Sequence, residues 1–266
     1  MTTIILEAAS NHEGSLDRAL QMVRTAAEVG ADMIKFQSYR AEKLRSDVPE
    51  AERARRAKFQ LSDDAHRRLI EECETCKIPF LTTCFDRERV PFLKSLGLKS
   101  IKIASPDCGA AAMLEDLAEF IDTFYISTGM SYASEIDQAI RVLKGKKVVL
   151  LHCVSLYPTA PEDIHLKRID WLKERHPHVG FSDHTLGTEV AKIALARGIE
   201  VLEKHWTIDK SLPDFGHTFS ITTEDAKELI SFRNLIRVAD GQPYGDLQDK
   251  EKGARDKFVG IWGNNR

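Results

Sequence analysis

The chain has 266 residues, 42% of them hydrophobic and 30% charged, enough for one full globular core. Its formal charge of -3 excludes the basic excess of a nucleic-acid surface, and no apolar run approaches the roughly 20 residues that span a bilayer. The sequence Met1-Thr2-Thr3-Ile4-Ile5-Leu6-Glu7 enters a strand directly, without a basic and hydrophobic leader, so the expected location is the cytoplasm. Cys73, Cys76, Cys84, Cys108 and Cys153 are odd in number and fall in helix and strand patterns, which fits reduced thiols rather than a disulfide framework.

Short apolar runs alternate with amphipathic stretches along nearly the whole chain. Strands are expected at Ile4–Ala8, Met33–Gln37, Phe80–Thr83, Ser100–Ala104, Phe124–Ser127, Val148–His152, Val179–Ser182 and Val201–His205. Helical periodicity occupies Ser15–Val29, Asp64–Cys76, Arg87–Leu96, Ala110–Phe120, Ala133–Leu143, Leu166–Arg175, Thr188–Ala196 and Thr223–Ala239. The last opens with Thr222-Thr223-Glu224-Asp225, acidic residues suited to a helix N-terminus. Strands separated by helices of this length must pair in parallel. Eight such units predict a single-domain α/β fold, a (β/α)₈ TIM barrel over residues 1–240. The tail, 241–266, is expected to pack on the barrel or on a partner. A doubly wound open sheet is the alternative, but its glycine-rich phosphate turn is missing from Ala8-Ala9-Ser10-Asn11-His12-Glu13-Gly14.

Residues 38–62 are long for a strand-to-helix loop and rich in charge, as in Glu52-Arg53-Ala54-Arg55-Arg56. Alternating charges of this kind predict a solvated outer helix rather than a binding patch, with a lid as the other reading.

A barrel of this type carries its active site at the C-terminal ends of its strands. The residues there are polar: Glu7, then Asn11 and His12; Lys35 and Gln37; Thr82 and Thr83; Lys102 and Ser105; Ser127; Ser155 and Tyr157; Ser182 and His184; Glu203 and His205. Two lysines among hydroxyls are costly to bury without an anion and suit a phosphate plus a carboxylate. His184 and His205 end neighbouring strands, where two neutral imidazoles can hold a divalent metal or simply cap strand ends.

These segments resemble the sialic acid (N-acetylneuraminate) synthase family. The resemblance rests on Glu7…Asn11-His12-Glu13-Gly14, Ala31-Asp32-Met33-Ile34-Lys35-Phe36-Gln37, Lys102-Ile103-Ala104-Ser105, Ser127-Thr128-Gly129-Met130, Leu151-His152-Cys153…Tyr157-Pro158, Ser182-Asp183-His184-Thr185-Leu186-Gly187 and Glu203-Lys204-His205. It implies a metal-dependent transferase of carbohydrate biosynthesis that condenses phosphoenolpyruvate with an open-chain sugar such as N-acetylmannosamine. The product is a nonulosonic acid. By the resemblance, Mn²⁺ or Mg²⁺ sits on His184 and His205, and Glu7 and Gln37 lie beside the reacting carbons. Lys35, Thr83, Lys102, Ser105, Ser127, Ser155 and Ser182 would cradle phosphoenolpyruvate, with Tyr157, Asp107, Asp214 and His217 toward the sugar. Other readings are a 3-deoxy-octulosonate type of condensation and a non-catalytic sugar-binding barrel.

The departures lie mostly on the acceptor side. The first strand lacks the family's glycine at Ala9, Ser105-Pro106-Asp107 replaces S-G-E, and Pro213-Asp214-Phe215-Gly216-His217 replaces P-G-P-D-H. No segment of this chain matches the family's small C-terminal antifreeze-like domain, which reaches across a homodimer and contributes an arginine to the sugar's acyl group. The oligomeric state is therefore open, a homodimer being what the resemblance implies, and an altered acceptor is expected. Three further features read as structural. Cys73-Glu74-Thr75-Cys76 lies in a helix without a second pair, His176-Pro177-His178 is a turn at the far barrel end, and Trp206 is as well suited to packing as to stacking.

Overall fold

The computed structural model describes residues 2–243 and 245–263. Eight parallel strands close on themselves: β1 Thr3–Glu7, β2 Met33–Ser38, β3 Phe80–Cys84, β4 Ser100–Ile103, β5 Thr123–Ser127, β6 Lys147–His152, β7 Val179–Asp183 and β8 Val201–His205. The seam is the β8–β1 ladder, where Ile5 pairs with Glu203 and Glu7 with His205. The fold is thus the expected (β/α)₈ barrel, each strand lying within a residue of its predicted bounds.

Helices cover the outside: α1 Leu16–Glu28, α2 Glu50–Phe59, α3 Asp63–Cys76, α4 Val90–Ser95, α5 Ala111–Ala118, α6 Ala133–Val142, α7 Arg168–Lys173, α8 Glu189–Ala196, α9 Phe215–Phe219, α10 Thr223–Asp240 and α11 Lys252–Phe258. Side-chain caps fix several starts: Ser15 and Ser62 accept from the backbone N–H three residues on, and Thr222 with Asp225 forms a reciprocal box. No helix among the described residues is long and apolar enough to cross a membrane.

Strand alternation sorts each β-segment between two cores. In β2, Ile34 and Phe36 face outward into the main core, Phe36 stacked on Phe80 at 6.0 Å between centroids. Met33 points the other way, into a smaller plug with Ile5, Leu81, Val149, Leu151 and Val201. That plug closes the barrel axis from below. Above it β1, β2, β3, β4, β5, β7 and β8 turn polar, so their inward positions nearest the C-terminal ends form the floor of a site.

Two elements depart from the expected pattern. Residues 50–59 form a regular helix that leans over the barrel mouth, because Arg55 is drawn to Asp214 across it. The solvated outer helix expected there is corrected accordingly. The short α9 also lies at the mouth, where Asp214 caps it by accepting from Gly216 N at 3.1 Å. Each described residue of the tail from 241 to 263 is exposed.

Candidate active site

A cavity of about 700 Å³ opens at the C-terminal ends of the strands. Its floor is one connected set of buried charges and hydroxyls. Lys35 Nζ lies 2.8 Å from Glu7 Oε2, 3.8 Å from Glu203 Oε2, and donates to Thr83 Oγ1 at 2.9 Å. Gln37 Nε2 donates to the other Glu7 oxygen at 2.9 Å. Lys102 Nζ donates to Ser127 Oγ at 2.6 Å and to the Ile103 carbonyl at 2.9 Å, and Ser182 donates to Glu203 Oε1 at 2.8 Å. The ladder explains the grouping, since Glu7 pairs with Lys35, Gln37 with Thr83, Thr83 with Lys102 and Ser182 with Glu203 in strand register.

Beside this floor stand the two histidines, with ring centroids 5.4 Å apart. His184 Nδ1 is 2.7 Å from the Val154 carbonyl, which can only accept; the proton therefore sits on Nδ1 and Nε2 keeps its lone pair. Among the described residues His205 Nδ1, which is buried, has no hydrogen-bond partner. Tyr157 packs on both rings, at 4.2 Å from His184 and 5.8 Å from His205. Behind them Lys204 Nζ bonds Asp183 Oδ2 at 2.7 Å and the Thr185 carbonyl at 2.6 Å, a fully buried tie between the ends of β7 and β8.

Burial sets the protonation states. It lowers His184, and it drives His205 well below the usual range, with His184 and Lys35 adding to the effect, so both imidazoles are neutral. Burial also lowers Lys102 against the pull of Glu203. The two floor carboxylates divide. Burial raises Glu7, with Lys35 opposing and Glu203 reinforcing. For Glu203 burial acts in the same sense, but Lys102, Lys35 and the Ser182 hydroxyl outweigh it and hold the group low. Glu203 is thus the resident anion, and Glu7 is the carboxyl whose affinity for a proton is raised. Burial pushes the Tyr157 hydroxyl up; the nearby Arg56 charge pulls it back.

Of the residues singled out from the sequence, Glu7, Lys35, Gln37, Thr83, Lys102, Ser105, Ser127, Ser155, Tyr157, Ser182, His184 and His205 all line the cavity. Asp107, Asp214 and His217 do not. Asp107 sits half-buried in the turn after β4, where burial lifts it to about 6. Asp214 is a structural partner of Arg55, Ser10 and Gly216. His217 is buried with Nδ1 2.8 Å from Thr207 Oγ1. Asn11 is also structural: its Nδ2 ties the Trp206 carbonyl (2.8 Å) to Ser220 Oγ (2.9 Å). Trp206 is fully buried, which decides for packing.

The sequence reading missed the mouth. Glu52, Arg55, Arg56, Phe215, Gly216 and Phe219 complete the lining there. The signal was present in Arg55-Arg56 after strand two, but charge alternation alone does not separate a helix facing solvent from one facing a cavity.

Residues 22–244 match the NeuB family. This chain belongs to the NeuB family, the nonulosonic acid synthases. The N,N'-diacetyllegionaminic acid synthase of Campylobacter jejuni is 35% identical over 264 residues, covering 90% of this chain and 78% of that one. The human N-acetylneuraminate-9-phosphate synthase is 31% identical over 96% of this chain and 76% of its own length. Among solved structures, the N-acetylneuraminic acid synthetase of Leptospira borgpetersenii, in complex with citrate, superposes with a TM-score of 0.87 at 31% identity, covering 98% of this chain and 93% of that one.

Proposed function

We propose that this NeuB family member joins phosphoenolpyruvate to the aldehyde of an open-chain sugar, releasing phosphate and a 3-deoxy-2-keto acid of the nonulosonic type. One observation carries the reading: two ammonium groups, Lys35 and Lys102, lie buried under an open cavity with Thr83 and Ser127 in hydrogen bond to them. Glu7 and Glu203 compensate these ammonium groups within the floor, and two fixed cations among hydroxyl donors that line one cavity suit a multiply charged anion. Ser105, Ser155 and Ser182 line the same floor and add donors around that anion.

The reaction forms one carbon–carbon bond, from carbon 3 of the enol phosphate to the aldehyde carbon, and the aldehyde oxygen takes up a proton. Water then supplies the oxygen at carbon 2, and the carbon–oxygen bond to phosphate breaks. Glu7 is suited to holding and moving a proton here: its raised affinity brings it closer to the working range, and Gln37 and Lys35 fix both of its oxygens. Lys35 and Lys102 hold the negative oxygens, and Tyr157 fixes the histidines edge and face.

A divalent cation, manganese or magnesium, fits the histidine pair. His184 presents Nε2 because Val154 holds its Nδ1 proton, and His205 offers a buried nitrogen with no protein partner. Among the described residues no third His, Cys, Asp or Glu joins them, so these two imidazoles are the side chains that would hold it. When bound, such an ion supplies Lewis acidity toward an acceptor oxygen. The test is phosphate release from phosphoenolpyruvate with manganese and a panel of hexosamines and hexoses, in the native protein and in His205→Ala. Release that requires a sugar and metal, and collapses in the variant while its melting temperature holds, is the expected result. Tight phosphoenolpyruvate binding without release for any sugar would overturn the synthase reading.

A further inference from the structure

The cavity floor accounts for phosphoenolpyruvate and leaves the charges at the mouth without a task. Glu52, Arg55 and Arg56 share one face of α2, three and four residues apart, and all three line the cavity. The two arginines are engaged differently. Arg55 serves the protein: Nε is 2.8 Å from Asp214 Oδ1, Nη2 is 3.0 Å from Asp214 Oδ2, and its guanidinium lies 5.3 Å from the Phe59 ring centre. Arg56 is held through Nε alone, 2.7 Å from Glu52 Oε1. Among the described residues its two terminal nitrogens meet no protein acceptor.

The backbone under Arg56 is fixed. Tyr39 Oη donates to the Arg56 carbonyl at 3.0 Å, and Arg53 Nη2 donates to the Arg45 carbonyl at 2.7 Å. A Cβ on Gly14 would lie 2.2 Å from the Lys58 carbonyl oxygen, so the first loop and the end of α2 pack without a gap. A guanidinium anchored at Nε over a cavity presents a planar pair of donors, and that pair matches two oxygens of one anion.

We infer that Arg56 determines acceptor specificity by binding an oxyanion substituent, carboxylate or phosphate, on the acceptor sugar. This rests on the synthase reading. The aldehyde must reach the histidines beside the floor, while Arg56 stands on a helix over the mouth, so the anion belongs at the end of the sugar away from the aldehyde. Phosphoenolpyruvate's own oxygens are matched by Lys35 and Lys102 below.

The experiment compares three mannosamine derivatives that differ only at the terminal carbon: hydroxyl, phosphate or carboxylate. Each is assayed for kcat/KM with phosphoenolpyruvate and manganese in the native protein, Arg56→Met and Arg56→Lys, with Arg45→Ala as an exposed control. The native protein should prefer one of the anionic sugars by about tenfold to a hundredfold. Arg56→Met should remove that preference through the sugar's KM, leaving the neutral sugar and the KM for phosphoenolpyruvate within about twofold. Arg56→Lys should rescue a phosphate in part, as a point charge, and a carboxylate poorly. Equal use of neutral and anionic sugars by the native protein, or an equal loss for both in Arg56→Met, would overturn the inference while leaving the synthase reading in place. Calorimetric titration of the two anionic sugars into the protein separates the opposite case. Binding that weakens about tenfold in Arg56→Met, without turnover of any sugar, would sink the synthase reading and keep Arg56 as an anion-recognition residue.

Discussion

Floor and mouth of this cavity are built on different principles. Glu7, Lys35, Lys102, Ser182 and Glu203 stand on strands whose ladders fix their register, and all are buried. Glu52, Arg55, Arg56, Phe215 and Phe219 stand on short helices that belong to loops, and the two arginine side chains keep 31% and 39% of their exposure. A strand residue cannot shift alone without breaking the ladder, whereas α2 is held to the mouth by side-chain contacts rather than by a ladder. The floor therefore suits chemistry that must not vary, and the mouth suits recognition that can.

The largest effect is expected on the floor. Lys35→Met should destabilise the protein by about 3–5 kcal/mol, because the buried Glu7 carboxylate loses its cation, and phosphate release should fall below detection. Adding Glu7→Gln removes the stranded charge and should restore most of the stability but none of the activity. Denaturant melts of the single and double variants decide the matter. A Lys35→Met protein as stable and active as the native one would end the case for a charge-coupled floor.

A smaller effect belongs to Asp107, in the turn after β4 beside the floor. Burial raises its carboxyl from an ordinary 3.8 to about 6, and one of its oxygens has no partner among the described residues. A raised folded-state value favours the neutral acid, so its contribution is fully present below pH 3.8 and is lost as pH rises through about 6. Asp107→Asn should thus be more stable than the native protein above pH 6 by roughly 1–2 kcal/mol, the shift being discounted for solvent screening. The two stability curves should converge toward pH 4. A constant gap across that range would show that the carboxyl is not buried in the way described.

The same division governs what was readable in the sequence. All eight strands and the floor residues were legible because short apolar runs between helical stretches, with polar residues at their ends as in Met33–Gln37 or Val201–His205, are a local property that the barrel preserves. The pairing of Lys35 with Glu7 followed once strand order was known. Asp214 was a different matter. The family resemblance placed it toward the sugar, but its carboxylate is taken by Arg55, 159 residues earlier in the chain. Charge alternation in Glu52-Arg53-Ala54-Arg55-Arg56 is compatible with solvent and with a cavity alike. Only the tertiary contact to Asp214 chooses, and no period in the sequence encodes it.

That contact also offers the finest test of the separation between floor and mouth. Of the residues in α2 only Phe59 is buried, and Pro49 supplies no side-chain cap, so the helix depends on docking rather than on its own core. Asp214→Asn keeps one acceptor oxygen and the turn it caps, but turns a bidentate charged pair into a weaker one. Since Arg55 is partly exposed, the global loss should stay within about 1 kcal/mol. The local effect should be larger in proportion. Amides of α2 should exchange several-fold faster, while those of β1, β2 and β8 keep their protection. The acceptor's KM should rise about threefold to tenfold as Arg56 loses its fixed backbone, with kcat and the KM for phosphoenolpyruvate unchanged. If instead the phosphoenolpyruvate KM rose in step with the acceptor's, α2 would be coupled to the lysines below, and the cavity would have to be treated as one cooperative unit.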